Sequence, residues 1–123
     1  MFQEHAPRFG HIEVIAGSMF SGKTEELIRR LKRAQIAQLK VLIVKPITDN
    51  RYADNEVVTH DQGRMNALAV ASAREIIALA SEADVVGIDE AQFFDMDIVA
   101  VANELANAGK RVVLAGLDMD FHG

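Results

Sequence analysis

Gly17, Gly22, Lys23 and Thr24 stand at the spacing G-x-x-x-x-G-K-[ST], filled here as Gly17-Ser18-Met19-Phe20-Ser21-Gly22-Lys23-Thr24. Those residue types at that spacing suit a chain of phosphates. The glycines let the backbone bend until successive N–H groups converge on phosphate oxygens. Lys23 is expected to reach the β- and γ-phosphates, and the Thr24 hydroxyl to ligate Mg²⁺. A helix opening at the motif adds its positive N-terminal end. The competing explanation is an accidental match in a glycine-containing turn. The motif lies between a β-rich run and an amphipathic run, where the chemistry requires it, and this context favours a phosphate site.

A second constellation lies at Val85 to Glu90, VVGIDE, an apolar run that ends in two acids. Asp89 is expected to hold Mg²⁺ beside Thr24. Adjacent residues of an extended chain point to opposite sides. With Asp89 on the metal, Glu90 is therefore expected to face an acceptor, where a carboxylate beside the γ-phosphate can take a proton from an attacking hydroxyl or from water. Alone, such a pair reads more simply as the start of a turn before a helix; behind a complete phosphate motif it reads as catalytic.

The elements that must position these groups alternate between strand and helix. His11–Ala16 is a short β-rich run, and Thr24–Gln38 is helical, with Leu27, Ile28, Leu31, Ala34 and Ile36 mainly on one side. Val41–Val44 is a strand closed by Pro46, apolar throughout as in a parallel sheet covered on both faces. The polar stretch Thr48–Arg64 reads as a long functional or mobile loop. Asn66–Ala71 is a short strand. Ser72 with Glu75 forms a capping box opening a helix that buries Ile76, Ile77 and Leu79. Asp84–Ile88 is a strand, Asp95–Ala108 a helix with Met96, Val99, Ala102, Leu105 and Ala106 at helical spacing and Gly109 as its stop, and Arg111–Ala115 the last strand. This alternation predicts an α/β domain whose mostly parallel sheet is flanked by helices, a single domain over residues 1–123.

Composition narrows the function classes. The chain has 123 residues, half of them hydrophobic, and a formal net charge of −5, which argues against a general nucleic-acid binder. It has no cysteine, so no disulfide or thiolate metal site is available within it. No apolar run has the length of a membrane span and no secretory leader is recognisable at the N-terminus, so a cytoplasmic location is expected. The basic cluster Arg29, Arg30, Lys32 and Arg33 follows Glu25 and Glu26 at i,i+4 spacing and reads as a solvated helix face rather than a phosphate patch. His5, His11, His60 and His122 have no metal-ligand spacing. Asp49, Arg51 and His60 fall in the polar stretch; Arg51 is either a cation for a transferring phosphoryl group or a plain loop residue. Phe93, Phe94 and Phe121 are either core or a surface on which a base stacks, since ligands of open α/β sheets bind at the carboxyl ends of strands.

Taken together, GSMFSGKT, KPITDNRY, THD, IDEAQFF and GLDMDF resemble the type II thymidine kinases in identity, order and spacing, from about His11 to the last residue. The first motif is generic; IDEAQFF and GLDMDF are far more specific. The resemblance implies a RecA-like P-loop NTPase core and phosphoryl transfer from MgATP to the 5′-hydroxyl of thymidine, with Glu90 as the base. Residues 17–24, Asp89, Glu90 and Gln92 would serve the nucleotide, Thr24 and Asp89 the Mg²⁺. Asp49 and Arg51 match residues near the phosphates, and Met19, Phe93, Leu117 and Phe121 match the lining of the nucleoside pocket. Family members are typically homotetramers inhibited by thymidine triphosphate, and they continue past GLDMDF into a zinc-binding segment whose lasso closes over the base. No zinc is expected in this chain, whose nucleoside site is expected to be incomplete, and His122 stands where many bacterial relatives have arginine. Small nucleosides and nucleotides are the expected partners, with neither nucleic acid nor membrane. Two other functions fit the same motifs: an ATPase module in which Glu90 activates water, and an inactive nucleotide-binding fragment. Stimulation of ATP turnover by thymidine separates the kinase from both.

Overall fold

The computed structural model describes residues 10–16, 22–47, 56–59 and 63–116. In chain order these form β1 (His11–Ile15), α1 (Lys23–Ile36), β2 (Val41–Pro46), β3 (Glu56–Thr59), β4 (Gly63–Asn66), β5 (Leu68–Val70), α2 (Glu75–Leu79), β6 (Val85–Ile88), a 3-10 turn (Ala91–Phe93), α3 (Asp97–Asn107) and β7 (Arg111–Ala115). Five strands make one sheet in the order β1-β7-β6-β2-β5, and every pairing in it is parallel.

The strand residues are apolar in succession because both faces are covered, and their alternation sorts them between two cores. Ile43, Val85, Val113 and Ala115 face α1 and its buried Leu27, Ile28, Leu31 and Ala34. Val44, Val86, Ile88, Val112 and Leu114 face the opposite side, where α2 contributes Ile76 and α3 contributes Ile98, Val101, Ala102 and Leu105. All carboxyl ends of the strands therefore open along one edge, with α1 on one face and α2 and α3 on the other.

The structure corrects several sequence expectations. The polar stretch 48–64 is not wholly loop: β3 and β4 pair antiparallel in a separate two-stranded sheet, with Val57 opposite Met65 and Val58 opposite Arg64. Its few apolar residues hid the period-2 signal, and backbone pairing holds the ribbon. In α1, Ile36 lies outside the stripe and is 82% exposed, since the last helical turn runs past the sheet. In α3 the buried set is Ile98, Val101, Ala102 and Leu105, spaced i, i+3, i+4, i+7, while Met96 and Val99 are exposed; the helix starts at Asp97, and one residue of phase moves each of them off the sheet-facing side. Ser72 and Glu75 do not form the expected capping box. Residues 71–74 bend and turn, so the first helical residue is Glu75 itself, and the Ser72 hydroxyl donates to its carboxylate at 3.5 Å. Leu79, at the end of this five-residue helix, is exposed.

Strand β2 continues through Pro46, two residues beyond its sequence estimate. The Val44 carbonyl accepts from the Asp89 N–H at 2.9 Å on the β6 side, so the strand alternation turns the Pro46 nitrogen to that same side. There β6 has already ended, its last pairing being Ile88 with Val44. The missing donor costs no ladder bond, which is why proline is tolerated inside this central strand.

On β1, Glu13 ties three elements together. Its carboxylate accepts from Arg111 Nε and Nη2 at 2.6 and 3.0 Å, from Arg30 Nη1 at 2.9 Å and from His11 Nε2 at 2.7 Å. The Arg111 hydrogen bond above all, with His11 and Arg30 and against the opposing effect of burial, lowers its pKa from 4.5 to about 2. A carboxyl with a depressed native pKa stabilises the fold fully above its unfolded value, and the contribution disappears as pH falls toward the native one. Glu13→Gln is therefore expected to lower the urea midpoint at neutral pH, with a deficit that narrows between pH 4.5 and about 2. A deficit that does not change with pH would remove Glu13 from the acid response.

Candidate phosphate and metal site

The first helix carries the site to the sheet. Gly22 precedes α1 with φ 77°, a left-handed conformation that glycine adopts without a Cβ penalty. Lys23 and Thr24 are its first two residues. Strand β7 lies between β1 and β6, so β1, which the phosphate motif follows, and the acid strand are separated by roughly 10 Å across the sheet. The gap is bridged all the same: Thr24 Oγ1 donates to Asp89, 3.2 Å from Oδ1 and 3.4 Å from Oδ2.

Gly87 makes that bridge possible. It lies on β6 two residues before Asp89, on the face that α1 covers. A Cβ there would stand 2.5 Å from Leu31 Cδ1 and 3.3 Å from Leu27 Cδ1. Its absence lets α1 settle onto the strand and brings the start of the helix over the end of β6. Sequence reasoning passed over Gly87, whose only signal was a glycine inside an otherwise apolar strand, a mark of close backbone or side-chain approach.

Asp89 is 7% exposed. Burial raises its pKa, as does the neighbouring Glu90 carboxylate; the Glu90 N–H, the Thr24 hydroxyl and the positive charge of Lys45 act in the opposite sense. The Glu90 N–H donates to Asp89 Oδ1 at 2.9 Å, which fixes the carboxylate. A buried carboxylate oxygen beside a threonine hydroxyl is a hard oxygen donor pair of the kind Mg²⁺ takes together with phosphate oxygens. The residues present fit that ion.

Glu90 departs from the sequence argument. The strand stops at Ile88, and Glu90 has φ 51°, one of two described non-glycine residues with positive φ. The two acids thus diverge by a left-handed kink at the strand end instead of by alternation along an extended chain. Such a conformation costs on the order of 1–3 kcal/mol in a non-glycine residue and concentrates at functional sites. It leaves Glu90 half-buried while Asp89 is buried. The next turn carries Gln92, whose Oε1 lies against Gly116 just beyond β7, and Phe93, which is 60% exposed at the same edge of the sheet; Phe94 turns inward and is core.

The basic cluster of α1 lies on a solvent-facing side of the helix, with Arg29 and Arg33 exposed and Arg30 and Lys32 half-buried. Arg29 and Arg30 both pair with Glu26, and Arg30 also reaches Glu13; Glu25 is not the partner of Arg29 that the i,i+4 spacing suggested. These arginines, with Ala16, Gly22 and Lys23, line a polar cleft of about 410 Å³ on the β1 side of the helix. Their carboxylate partners make them wall residues of this cleft.

The structure thus brings together Gly22, Lys23, Thr24, Asp89, Glu90 and Gln92 at the carboxyl edge, with Phe93 nearby. Gly17, Ser18, Met19, Phe20, Ser21, Asp49, Arg51, Leu117 and Phe121 lie outside the described residues. Lys45 was missed. It is 6% exposed at the end of β2, next in register to Asp89, and its signal was a lone lysine closing an apolar strand.

A parallel sheet with a Gly-Lys-Thr helix start at the end of its first strand, joined through Thr24 to a buried aspartate across one intervening strand, defines an α/β domain of the P-loop NTPase type. The family model for thymidine kinase matches residues 10–123, and the chain belongs to the thymidine kinase family. It is 59% identical over 119 residues to a thymidine kinase of Rhodothermus sp. (strain ITI 518), covering 97% of this chain and 56% of that protein. It is 58% identical over 116 residues to a thymidine kinase of Bacteroides fragilis, covering 94% and 58%. A thymidine kinase of Porphyromonas gingivalis is 59% identical over 114 residues, covering 93% and 56%. The chain spans a little over half the length of these relatives.

Proposed function

We propose that the protein transfers the γ-phosphoryl group of MgATP to the 5′-hydroxyl of thymidine, giving thymidine monophosphate and ADP. The observation that carries this reading is the Thr24–Asp89 hydrogen bond with Glu90 beside it, in a chain of the thymidine kinase family. Residues 17–24 cradle the phosphates, and Lys23 neutralises charge on the β- and γ-phosphates. Thr24 and Asp89 would hold Mg²⁺, which would supply charge neutralisation on the transferring group. Glu90 accepts the proton of the 5′-hydroxyl as that oxygen bonds to the γ-phosphorus and ADP departs with the electron pair of the broken bond. Gln92 belongs to the nucleotide side, and Arg51 with Asp49 to the phosphoryl being transferred. Met19, Phe93, Leu117 and Phe121 form the apolar wall of the nucleoside site. A homotetramer in the cytoplasm is part of the same reading. Among the described residues no helix is long and apolar enough to cross a membrane.

The test is transfer of radiolabelled phosphate from ATP, with thymidine present or absent. Labelled thymidine monophosphate is expected to form, and ATP consumption to rise with thymidine. Acceptor-independent hydrolysis, or no turnover, overturns the reading. In the same preparation Lys23→Ala is expected to weaken ATP binding more than about tenfold by equilibrium titration, because it deletes a charge-assisted contact to phosphate. Unchanged affinity would place the phosphates elsewhere.

A further inference from the structure

Lys45 is a buried cation at the edge of the sheet where the site lies. Strands β2 and β6 pair in register from Val41–Val85 to Val44–Ile88, and the Asp89 N–H donates to the Val44 carbonyl. Residue 45 is therefore the next neighbour of Asp89. Strand alternation puts both on the face covered by α1, Lys45 in phase with Ile43 and Asp89 in phase with Gly87. Lys45 is 6% exposed and Asp89 7%, and the positive charge of one is felt at the carboxyl of the other.

The charges at this edge need a cation there. Mg²⁺ADP and Mg²⁺ATP enter with net negative charge, and the sheet end already carries Asp89 and Glu90. Among the described residues, Lys23 offsets only one of these two carboxylates. Among the described residues, Lys45 brings the charged side chains Lys23, Lys45, Asp89 and Glu90 to balance, and Lys45 and Asp89 are both buried, where charge interactions are weakly screened. Its position in the strand order is also informative. The phosphate motif follows β1 in sequence, Asp89 directly follows β6 two strands away, and Lys45, the penultimate residue of β2, lies one strand further in the same direction. A nucleotide whose phosphate chain runs from the phosphate motif toward Asp89 would bring its terminal phosphate nearest to Lys45.

We propose that Lys45 is a second phosphate-facing cation of the site, directed at the terminal phosphate of a nucleoside triphosphate. This rests on the phosphate-site reading of residues 17–24 but not on thymidine as acceptor. The role is distinct from that of Lys23, which serves di- and triphosphates alike, and it makes Lys45 the residue by which the site prefers ATP over ADP.

The experiment compares equilibrium binding of ADP and of the non-hydrolysable β,γ-imido analogue of ATP, both with Mg²⁺, in the unsubstituted protein and in Lys45→Met, Lys45→Gln and Lys45→Arg. Methionine keeps the apolar stem and removes the charge, and glutamine does the same with a polar tip, so one folded neutral variant suffices. The neutral variants are expected to lose at least about tenfold in triphosphate affinity relative to ADP, and arginine to restore most of it. A purely structural lysine would lower both affinities together or neither, and arginine would not rescue selectively; either pattern overturns the proposal. Failure of the unsubstituted protein to bind either nucleotide overturns the phosphate site and Lys45 with it. Binding without phosphorylation of thymidine overturns only the acceptor, and the triphosphate-to-diphosphate ratio still decides Lys45.

Discussion

Glu90→Gln is expected to retain the fold and MgATP affinity and to lower phosphoryl transfer to thymidine by about 10²–10⁴-fold, the usual contribution of a positioned general base. Glutamine has nearly the same shape but cannot take the proton from the 5′-hydroxyl. The backbone at this position does not single out the variant: φ 51° costs glutamine about what it costs glutamate, and the N–H to Asp89 Oδ1 is a main-chain donor that the substitution leaves in place. Removing one of two adjacent carboxylates also removes a repulsion that raises the Asp89 pKa, so Mg²⁺ binding is not expected to weaken. The measurement is single-turnover transfer of labelled phosphate at saturating thymidine, beside ATP affinity by titration. Near-normal transfer would exclude Glu90 as the base and turn attention to Asp49. Loss of ATP affinity in parallel with rate would instead make Glu90 part of the nucleotide's own binding.

The second large effect is expected far from any phosphate contact. Gly87→Val places a branched side chain where even a Cβ would stand 2.5 Å from Leu31 Cδ1. Leu27 and Leu31 are fully buried and have no solvent side to turn to. Overpacking of this kind costs typically about 1–3 kcal/mol, to be read from urea unfolding. The specific expectation is the functional one. Relief requires α1 to lift from β6, and Thr24 is carried by the same helix one turn before Leu27. The Thr24–Asp89 contact opens, and the Mg²⁺ concentration needed for nucleotide binding rises. Gly87→Ala is expected to show a smaller change in the same direction. Adding Leu31→Ala to it makes room for the new methyl group, so the pair of substitutions should cost less than the sum of the two. Strict additivity, or a stability loss with an unchanged Mg²⁺ requirement, would mean that the glycine does not set the helix position.

The sequence by itself determined the family. Gly17 to Thr24 and VVGIDE marked a candidate phosphate groove, a candidate metal partner and the acid pair, because phosphate and magnesium demand particular atoms at short range and motifs store them locally. The strands were legible too, their apolar runs predicting a parallel sheet covered on both faces. Tertiary structure alone decided where those pieces meet. That β7 would slip between β1 and β6, and that Thr24 would nonetheless reach Asp89, depends on helix-to-sheet distance, which a single missing methyl group at Gly87 controls. The faces of α1 and α3 were misjudged at Ile36, Met96 and Val99 because helical periodicity leaves the phase open until the sheet occupies one side. The β3–β4 ribbon escaped notice because its pairing lies in backbone hydrogen bonds, which no side-chain pattern records. Lys45 shows the same limit most plainly: next to Pro46 it looks like the end of a strand, and only the register between β2 and β6 places its charge beside Asp89.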